Sequence, residues 1–378
     1  MTFVDITELV DNPLRTGIQR VVRKLLREWP GETLKPCRFN TATGTLDLVP
    51  QAICEILREE ADELKQASVA NLRNRIRQIQ IASIAEPVRP PDGDLLLPEL
   101  FFEPARCAYY LKRLRANPRS IHVLLYDFIP WLAPNSIGVE DASVLMHYLQ
   151  VVQAARSVAF ISSETRDVWV ERIVRRSELD GPVIPLGADG LAMERQSWDS
   201  TRATFVCVGS LDGRRNQHLV VRAFQSLWKR GFRMRLVIFG HAFDQSSAVA
   251  REVIAASEEE DLLDYHSSAT DNDIHEAMRQ ARATVYVSSV DGFGLPPVES
   301  LNIGVPVIVT DHIPSIRSLP ALGQIRISAT DPEVIASAVL QIADDQFAEQ
   351  LWRDASSLSL PGWRDFGRGM HSWLTGSS

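Results

Sequence analysis

Short apolar runs alternate with helix-like segments along both halves of the chain, and this alternation indicates the fold. Runs rich in Val, Ile, Leu and Phe are typical of buried strands, whereas apolar residues three and four apart are typical of helices that cover a sheet. Strands that alternate with helices favour parallel sheets. The predicted strands are 3–7, 94–100, 121–129 and 157–163 in the first half and 204–210, 235–240, 283–289 and 306–311 in the second.

Helical patterns follow these strands in both halves. The predicted helices are 17–29, 107–116, 142–155, 164–174, 216–231, 273–281 and 296–304, and residues 52–83 read as mostly helix. Residues 181–202, between the halves, are rich in Gly and Pro, so we place a domain boundary there. We therefore predict an α/β protein with two doubly wound, Rossmann-like domains, 1–190 and 191–357, facing each other across a cleft. Ligands of such sheets bind at the carboxyl ends of the strands, which makes the cleft the expected site.

Composition narrows the class of protein. A chain of 378 residues, 45 % of them hydrophobic, suits two packed cores, since single cores stop growing beyond roughly 250–300 residues. The net charge of -8 argues against a nucleic-acid partner. The four cysteines have no metal-binding spacing and are expected to be reduced, which suits the cytoplasm. The N-terminal segment lacks a signal-peptide pattern, and no apolar run reaches the length of a membrane span.

Two carboxylates bracket a tight corner after the predicted strand 283–289. Asp291 precedes a glycine-rich turn, and Glu299 lies about one turn into the helix that begins at the double proline. Both side chains are expected to converge beside the helix N-terminus, whose N–H groups attract anions. Carboxylates accept hydrogen bonds from hydroxyl groups, and a helix N-terminus binds phosphate. A nucleotide sugar has both kinds of group and would therefore fit this site. The alternative is a structural strand–turn–helix corner with acids that compensate the helix dipole.

A second candidate is the loop that follows the predicted strand 204–210. The strand ends at Gly209, and Arg214 and Arg215 lie just before the next helix. Two guanidinium groups at a helix start make a diphosphate clamp, since charge-assisted hydrogen bonds are worth roughly 1.5–3 kcal/mol each. A solvated basic loop is the alternative.

The first half offers two further candidates. Gly17 lies at a strand-to-helix turn that could face the cleft, and Asp127 follows a predicted buried strand. Asp127 is equally suited to capping the next turn. The helix after Gly17 is basic, which indicates a solvated face, a phosphate contact or a patch for anionic lipid; its basic residues are Arg20, Arg23, Lys24 and Arg27.

These segments occur together and in order, and the combination resembles the retaining glycosyltransferases of family four, which have the GT-B fold. DGFGLPPVESLNIGVPVIVTD (291–311) is similar to the family signature EGFGLPxxEAxAxGxPVV, with the same spacing between its two acidic residues. VGSLDGRRN (208–216) resembles VGTLxxRKN, and VIPLGAD (183–189) resembles VIPNGVD. Segments 16–26 and 124–130 resemble first-domain motifs of bacterial polysaccharide mannosyl- and rhamnosyltransferase-like members. Residues 358–378 include a segment similar to the terminal helix, which usually returns to the first domain.

The resemblance implies specific roles. Glu299 would bind the ribose of the donor nucleotide, Asp291 would hold donor-sugar hydroxyls, and Arg215 with Arg214 would neutralise the departing diphosphate. The amides of Phe293, Gly294 and Leu295 would meet sugar or phosphate, Gly17 and Gly209 would lie beside the donor, and Asp127 would belong to the catalytic set.

Three departures from the family pattern stand out. Asp291 is one methylene shorter than the usual Glu, Tyr126 replaces the His found in many members, and Arg215 replaces Lys.

The implied activity is transfer of a hexose or deoxyhexose from a nucleoside diphosphate sugar, with GDP-mannose favoured. The acceptor would be a hydroxyl on a glycan or lipid-linked glycan in bacterial surface polysaccharide synthesis, with retained configuration. We predict no cofactor and no metal, since no DxD-type pair is present to hold a bridging cation. The expected location is the cytoplasm, with contact at the inner membrane surface. The alternatives are an inactive GT-B domain that serves as a scaffold, an epimerase and a phosphorylase.

Overall fold

The computed structural model describes residues 2–13, 16–58, 69–83, 87, 93–118, 120–132, 145–174, 180–242 and 244–376. The chain divides into two compact units, Met1–Gly187 with Trp363–Ser378, and Ala188–Gly362. Each unit holds one six-stranded sheet with helices, so the predicted pair of Rossmann-like folds is confirmed. Of the predicted elements, residues 59–68 and 142–144 and most of the predicted loop 86–94 lie outside the described residues.

The sheet of the first unit has the strand order β3-β2-β1-β4-β5-β6, and all its pairs are parallel except β2 with β3. Strands β2 and β3 form an antiparallel hairpin at the sheet edge, and the sequence analysis missed both. Their apolar residues are interrupted by Lys35, Pro36 and Arg38, which hides the strand pattern. The strands are β1 (Thr2–Asp5), β2 (Leu34–Asn40), β3 (Thr45–Leu48), β4 (Asp94–Leu97), β5 (Ile121–Leu125) and β6 (Ser157–Phe160).

Helices of the first unit cover this sheet and bury an aromatic-rich core. Phe101, Tyr110 and Tyr148 pack edge to face there, with ring centroids 5.0–5.2 Å apart. The helices are α1 (Thr7–Asp11), α2 (Gly17–Glu28), α3 (Gln51–Arg58), α4 (Val69–Ala82), α5 (Pro104–Ala116), α6 (Ile129–Leu132), α7 (Met146–Ala154) and α8 (Ser163–Val168), which continues as a π-helical turn over Trp169–Val174.

The second unit has an all-parallel sheet with the order β12-β11-β10-β7-β8-β9. Strands β9 and β12 lie at its two edges, and the sequence analysis missed both because each is short and mixes polar with apolar residues. The strands are β7 (Thr204–Val208), β8 (Arg235–Phe239), β9 (Leu263–His266), β10 (Ala281–Tyr286), β11 (Val307–Thr310) and β12 (Gln324–Ile327).

Helices of the second unit pack on both faces of that sheet. Phe205, Phe224 and Trp228 form part of the core on one face. Four of these helices were not predicted from the sequence: Ala248–Glu259, Pro314–Arg317, Pro332–Ala343 and Asp345–Ser357. The helices are α9 (Gln217–Lys229), α10 (Ala248–Glu259), α11 (Asp271–Gln280), α12 (Leu295–Asn302), α13 (Pro314–Arg317), α14 (Pro332–Ala343) and α15 (Asp345–Ser357).

The C-terminal helix α16 (Trp363–Thr375) belongs to the first unit, where it packs against α2. His371 meets Trp29 edge to face at 5.2 Å between ring centroids, and Trp373 meets His122 at 5.5 Å. In the parts of the chain that the structure describes, no helix combines the length and the apolar character needed to cross a bilayer.

Candidate active site

Two loops of the second unit meet at the carboxyl edge of its sheet. Strands β7 and β10 are parallel neighbours inside the sheet, so the loops that follow them leave at the same edge. One is the arginine loop, residues 209–216, and the other is the acidic corner, residues 287–294. The residue patterns indicated the two loops separately, and only the family resemblance joined them at one donor; strand pairing brings them together in the structure. Ligands of doubly wound sheets bind at this edge.

Gly294 makes the acidic corner possible. Its φ of +89° lies in the left-handed region, and a β-carbon there would lie 2.4 Å from Cγ2 of Ile313. Ser315 holds the turn from the other side: its amide donates to the Phe293 carbonyl at 2.9 Å, and its hydroxyl donates to the Gly294 carbonyl at 2.7 Å. Helix α12 therefore starts at a fixed position, with Leu295 as its first residue.

Asp291, Arg215 and Tyr286 form a closed three-residue cluster, the Asp–Arg–Tyr cluster. Nη1 of Arg215 and the hydroxyl of Tyr286 both donate to Oδ2 of Asp291. The Arg215 guanidinium carbon also lies 5.0 Å from the centre of the Tyr286 ring, within cation–π range. The side chains of Arg215 and Asp291 are only 15 % and 11 % exposed. Burial lowers the pKa of Arg215, and the Asp291 carboxylate opposes that shift.

The arginine loop is tied directly to the acidic corner. The carbonyl of Arg214 accepts the amide of Ser289 at 2.7 Å, and the side-chain amide of Asn216 donates to the Val287 carbonyl at 2.9 Å. Asn216 adopts a left-handed φ of 58°, which turns the loop into α9. The Arg214 side chain pairs with Asp212 at 3.4 Å. The two arginines are thus each paired with an acid, which the predicted clamp did not anticipate.

Gly209 and Gly240 approach each other closely at the ends of β7 and β8, and this approach requires glycine at position 240. A β-carbon on Gly240, which follows β8, would lie 1.9 Å from the Gly209 carbonyl oxygen. Gly209 itself has a φ of +149°, and its amide donates to the Phe239 carbonyl at 2.9 Å. The stem of Arg215 passes over it, since a β-carbon on Gly209 would lie 3.9 Å from Cδ of that arginine. The Arg215 stem is therefore in ordinary contact distance of position 209, and the positive φ is the feature that favours glycine there.

The remaining second-unit candidates lie on and around α12. Glu299 is on the helix and only 4 % exposed, so it is positioned within the fold and not on a solvent face. Phe293 is buried, whereas Leu295 is half-buried at the start of the helix. The roles assigned to these residues through the resemblance remain predictions, including the convergence of Glu299 with Asp291.

The two first-unit candidates occupy helix starts. Gly17 is the first residue of α2, after the N-cap Thr16, and is exposed with open space where a β-carbon would lie. Asp127 follows β5, and its Oδ1 accepts the amide of Ile129 at 3.0 Å, at the start of α6. Asp127 therefore does serve as a structural cap. The catalytic role of Asp127 and the donor contact of Gly17 stay predictions.

A buried polar network at the carboxyl edge of the first sheet was missed by the sequence analysis. Arg106 donates to Oδ2 of Asp5 through Nε at 2.9 Å and through Nη2 at 2.7 Å, and Tyr110 donates to the same oxygen. Glu99 accepts two backbone amides at the start of α1, both at 2.8 Å. Asp5, Glu99, Arg106 and Tyr110 are all at most 1 % exposed. The sequence signal for this network is Asp5, an aspartate at the end of the apolar strand β1.

Glu8 forms the outer part of this network. Its carboxylate lies 3.1 Å from Nη1 of Arg106, and its side chain is 27 % exposed. Burial, together with a hydrogen bond to the neighbouring Glu103 carboxyl, raises the pKa of Glu8 to about 7. Glu8 therefore changes charge near neutral pH in the folded protein.

Solved structures with similar folds define the class of this protein as GT-B. The crystal structure of Anabaena HepE in complex with UDP and glucose matches with a TM-score of 0.69 at 12 % identity and covers 99 % of both chains. Sucrose-phosphate synthase from Thermosynechococcus elongatus matches with a TM-score of 0.66 at 15 % identity, over 100 % of this chain and 99 % of that one. At these identities the similarity establishes the fold.

Residues 191–356, which lie within the second unit, match the family model described as "Glycosyl transferases group 1". The matched range contains the arginine loop and the acidic corner. The chain is 25 % identical over 163 residues to the serotype-specific mannosyltransferase WbdA of Escherichia coli, and 26 % identical over 165 residues to a GDP-mannose:cellobiosyl-diphosphopolyprenol alpha-mannosyltransferase of Xanthomonas oryzae. Those matches cover 43 % and 40 % of this chain, and 20 % and 43 % of the relatives' lengths. The resemblance found in the sequence is confirmed.

Proposed function

We propose that the protein transfers a hexose or deoxyhexose from a nucleoside diphosphate sugar to a hydroxyl group on a glycan or lipid-linked glycan. The observation that carries this proposal is the Asp–Arg–Tyr cluster. It places a half-buried guanidinium and a half-buried carboxylate in contact at the carboxyl edge of the second sheet, beside the start of α12. A guanidinium suits a diphosphate, and a carboxylate suits sugar hydroxyls.

The residues would divide the chemistry between the leaving group and the sugar. Arg215, Arg214 and the first N–H groups of α12 would stabilise the negative charge that grows on the diphosphate as the glycosidic bond breaks. Asp291 would hold donor-sugar hydroxyls, and Glu299 would bind the ribose. We propose retention of configuration, with the departing phosphate oxygen accepting the proton of the acceptor hydroxyl on the same face.

Mannose is the favoured sugar and GDP the favoured nucleotide. The support comes from relatives: those cited are mannosyltransferases, and the name of one specifies GDP-mannose and a diphosphopolyprenol-linked acceptor. Another relative is an O-antigen chain mannosyltransferase of Escherichia coli, 28 % identical over 147 residues. We therefore propose a role in surface polysaccharide synthesis. The proposed location is the cytoplasm, with a peripheral contact at the inner membrane through the basic residues of α2 and through Arg73, Arg75 and Arg77 of α4.

The test is a screen of purified protein with GDP-, UDP- and dTDP-sugars, read by the mass of the products with lipid-linked and free oligosaccharide acceptors. A new glycan one hexose or deoxyhexose heavier supports the proposal. Calorimetric titration with the three nucleoside diphosphates addresses the scaffold alternative, because an inactive GT-B domain that has lost its site would bind none of them. Binding of none of the three nucleoside diphosphates, together with no turnover of any donor, would favour the scaffold over the enzyme.

A further inference from the structure

Tyr286 lies at the centre of the candidate site, although no family motif points to it. It is the last residue of β10, is 5 % exposed, and is held in the middle of the second sheet between β7 and β11. Its ring lies under the Arg215 guanidinium, and its hydroxyl donates to Asp291. A tyrosine that only filled the core would need neither contact.

Both donors to Asp291 use the same carboxylate oxygen. Arg215 and Tyr286 meet at Oδ2, and within the part of the chain that the structure describes Oδ1 accepts no hydrogen bond. The carboxylate is therefore anchored by one oxygen. The other oxygen is left for a hydroxyl that comes from outside the protein.

A bound diphosphate would affect the two hydrogen bonds to Asp291 differently. The Arg215 guanidinium, which can bind phosphate, is shared between two anions once a diphosphate is bound, and its hold on Asp291 weakens. The Tyr286 hydroxyl belongs to the last residue of β10 and carries no charge, so a bound diphosphate would not draw it away from Asp291. Its hydrogen bond therefore keeps Asp291 in place while Arg215 turns toward the leaving group.

This arrangement also accounts for the shorter acid. Aspartate places its carboxylate one methylene closer to the backbone than glutamate does, which keeps Oδ2 within reach of a hydroxyl only five residues earlier in the chain. We propose that Tyr286 is a positioning residue that fixes Asp291 for contact with the donor sugar and rests Arg215 on its ring; this inference rests on the proposed function.

Calorimetric binding of GDP and of GDP-mannose tests the inference in four proteins: wild type, Tyr286→Phe, Asp291→Asn and the double variant. The phenylalanine keeps the ring under Arg215 and removes only the hydroxyl. We expect Tyr286→Phe to lower the affinity for GDP-mannose roughly tenfold or more, as for a lost hydrogen bond to a charged group. The affinity for GDP should fall less than about twofold. In the Asp291→Asn background, Tyr286→Phe should lower the affinity for GDP-mannose less than about twofold, because the carboxylate that accepts the Tyr286 hydroxyl is already replaced.

The control is Tyr109→Phe on α5, a tyrosine-to-phenylalanine change in the first unit, which should leave both affinities unchanged. Equal weakening of GDP and GDP-mannose by Tyr286→Phe would overturn the inference, as would a full effect in the Asp291→Asn background. If wild type binds no nucleotide, the proposed function fails, and the same four proteins are compared by their urea unfolding midpoints. Coupled shifts then support the Tyr286–Asp291 contact, and additive shifts overturn it.

Discussion

Gly367 of α16 lies directly against the backbone of Glu28 at the end of α2: a β-carbon at position 367 would lie 2.4 Å from the Glu28 carbonyl oxygen. This contact lets the C-terminal helix approach α2 closely enough for His371 to reach Trp29. The docking of α16 on the first unit therefore depends on a residue without a side chain, in a helix where alanine would otherwise be preferred.

Gly367→Ala should destabilise the first unit. The added methyl group must push backbone away from backbone, and overpacking of this kind costs roughly 1–3 kcal/mol, more than the gain of about 1 kcal/mol from alanine's higher helix propensity. The measurement is the free energy of unfolding in urea, with Ser372→Ala on the exposed side of the same helix as the control. An unchanged or increased stability of Gly367→Ala would show that α16 does not dock closely on α2.

Arg215→Ala should lower turnover roughly 100-fold or more, as expected when a preorganised donor to a developing anion is removed. Because Arg215 also neutralises Asp291, the variant should be checked for folding by its melting temperature. Arg222→Ala is the matched control, since Arg222 pairs with Glu252 on the exposed side of α9. Full turnover in Arg215→Ala would contradict the proposed role of this side chain at the leaving group.

Removal of divalent cations should leave the transfer rate unchanged. In the proposed chemistry the charge of the leaving diphosphate is met by guanidinium and helix N–H groups, and no step is assigned to a metal. The measurement compares initial rates with EDTA and with added Mg²⁺ or Mn²⁺, after dialysis of the protein against chelator. A rate that falls with EDTA and returns with metal would contradict metal independence.

The stability of the first unit should fall as the pH rises through neutrality. The pKa of Glu8 is raised from 4.5 to about 7 in the folded protein, so the folded state holds a proton that the unfolded chain releases. The resulting stabilisation is complete below about pH 4.5 and is lost as the pH rises through about 7. Urea midpoints at pH 5 and pH 8 should therefore differ less in Glu8→Gln than in wild type.

Glu333→Gln, on the exposed start of α14, controls for the general loss of a carboxylate. If Glu8→Gln keeps the full pH dependence of wild type, the raised pKa of Glu8 does not contribute to stability. A loss of dependence equal in both variants would point to net charge as the cause.

The sequence predicted the interior of each sheet better than its edges. Strands β7 and β11 are nearly continuous apolar runs, because both faces of a central strand are buried against helices. Strand β2 and the edge strands β3, β9 and β12 mix in polar and charged residues, and periodicity alone did not reveal them. The edge strand β6 is the exception, since it lies within the predicted strand 157–163.

The chain by itself determined the α/β class, the two Rossmann-like folds and the residue types at the ends of the central strands, because burial pattern and turn chemistry are local properties. Only the tertiary structure decided which of these residues meet. Arg215 and Asp291 are 76 positions apart, and they touch because β7 and β10 are parallel neighbours with a common carboxyl edge. Tyr286 joins them for the same reason: strand order, which no local pattern encodes, places the end of β10 beneath the arginine loop.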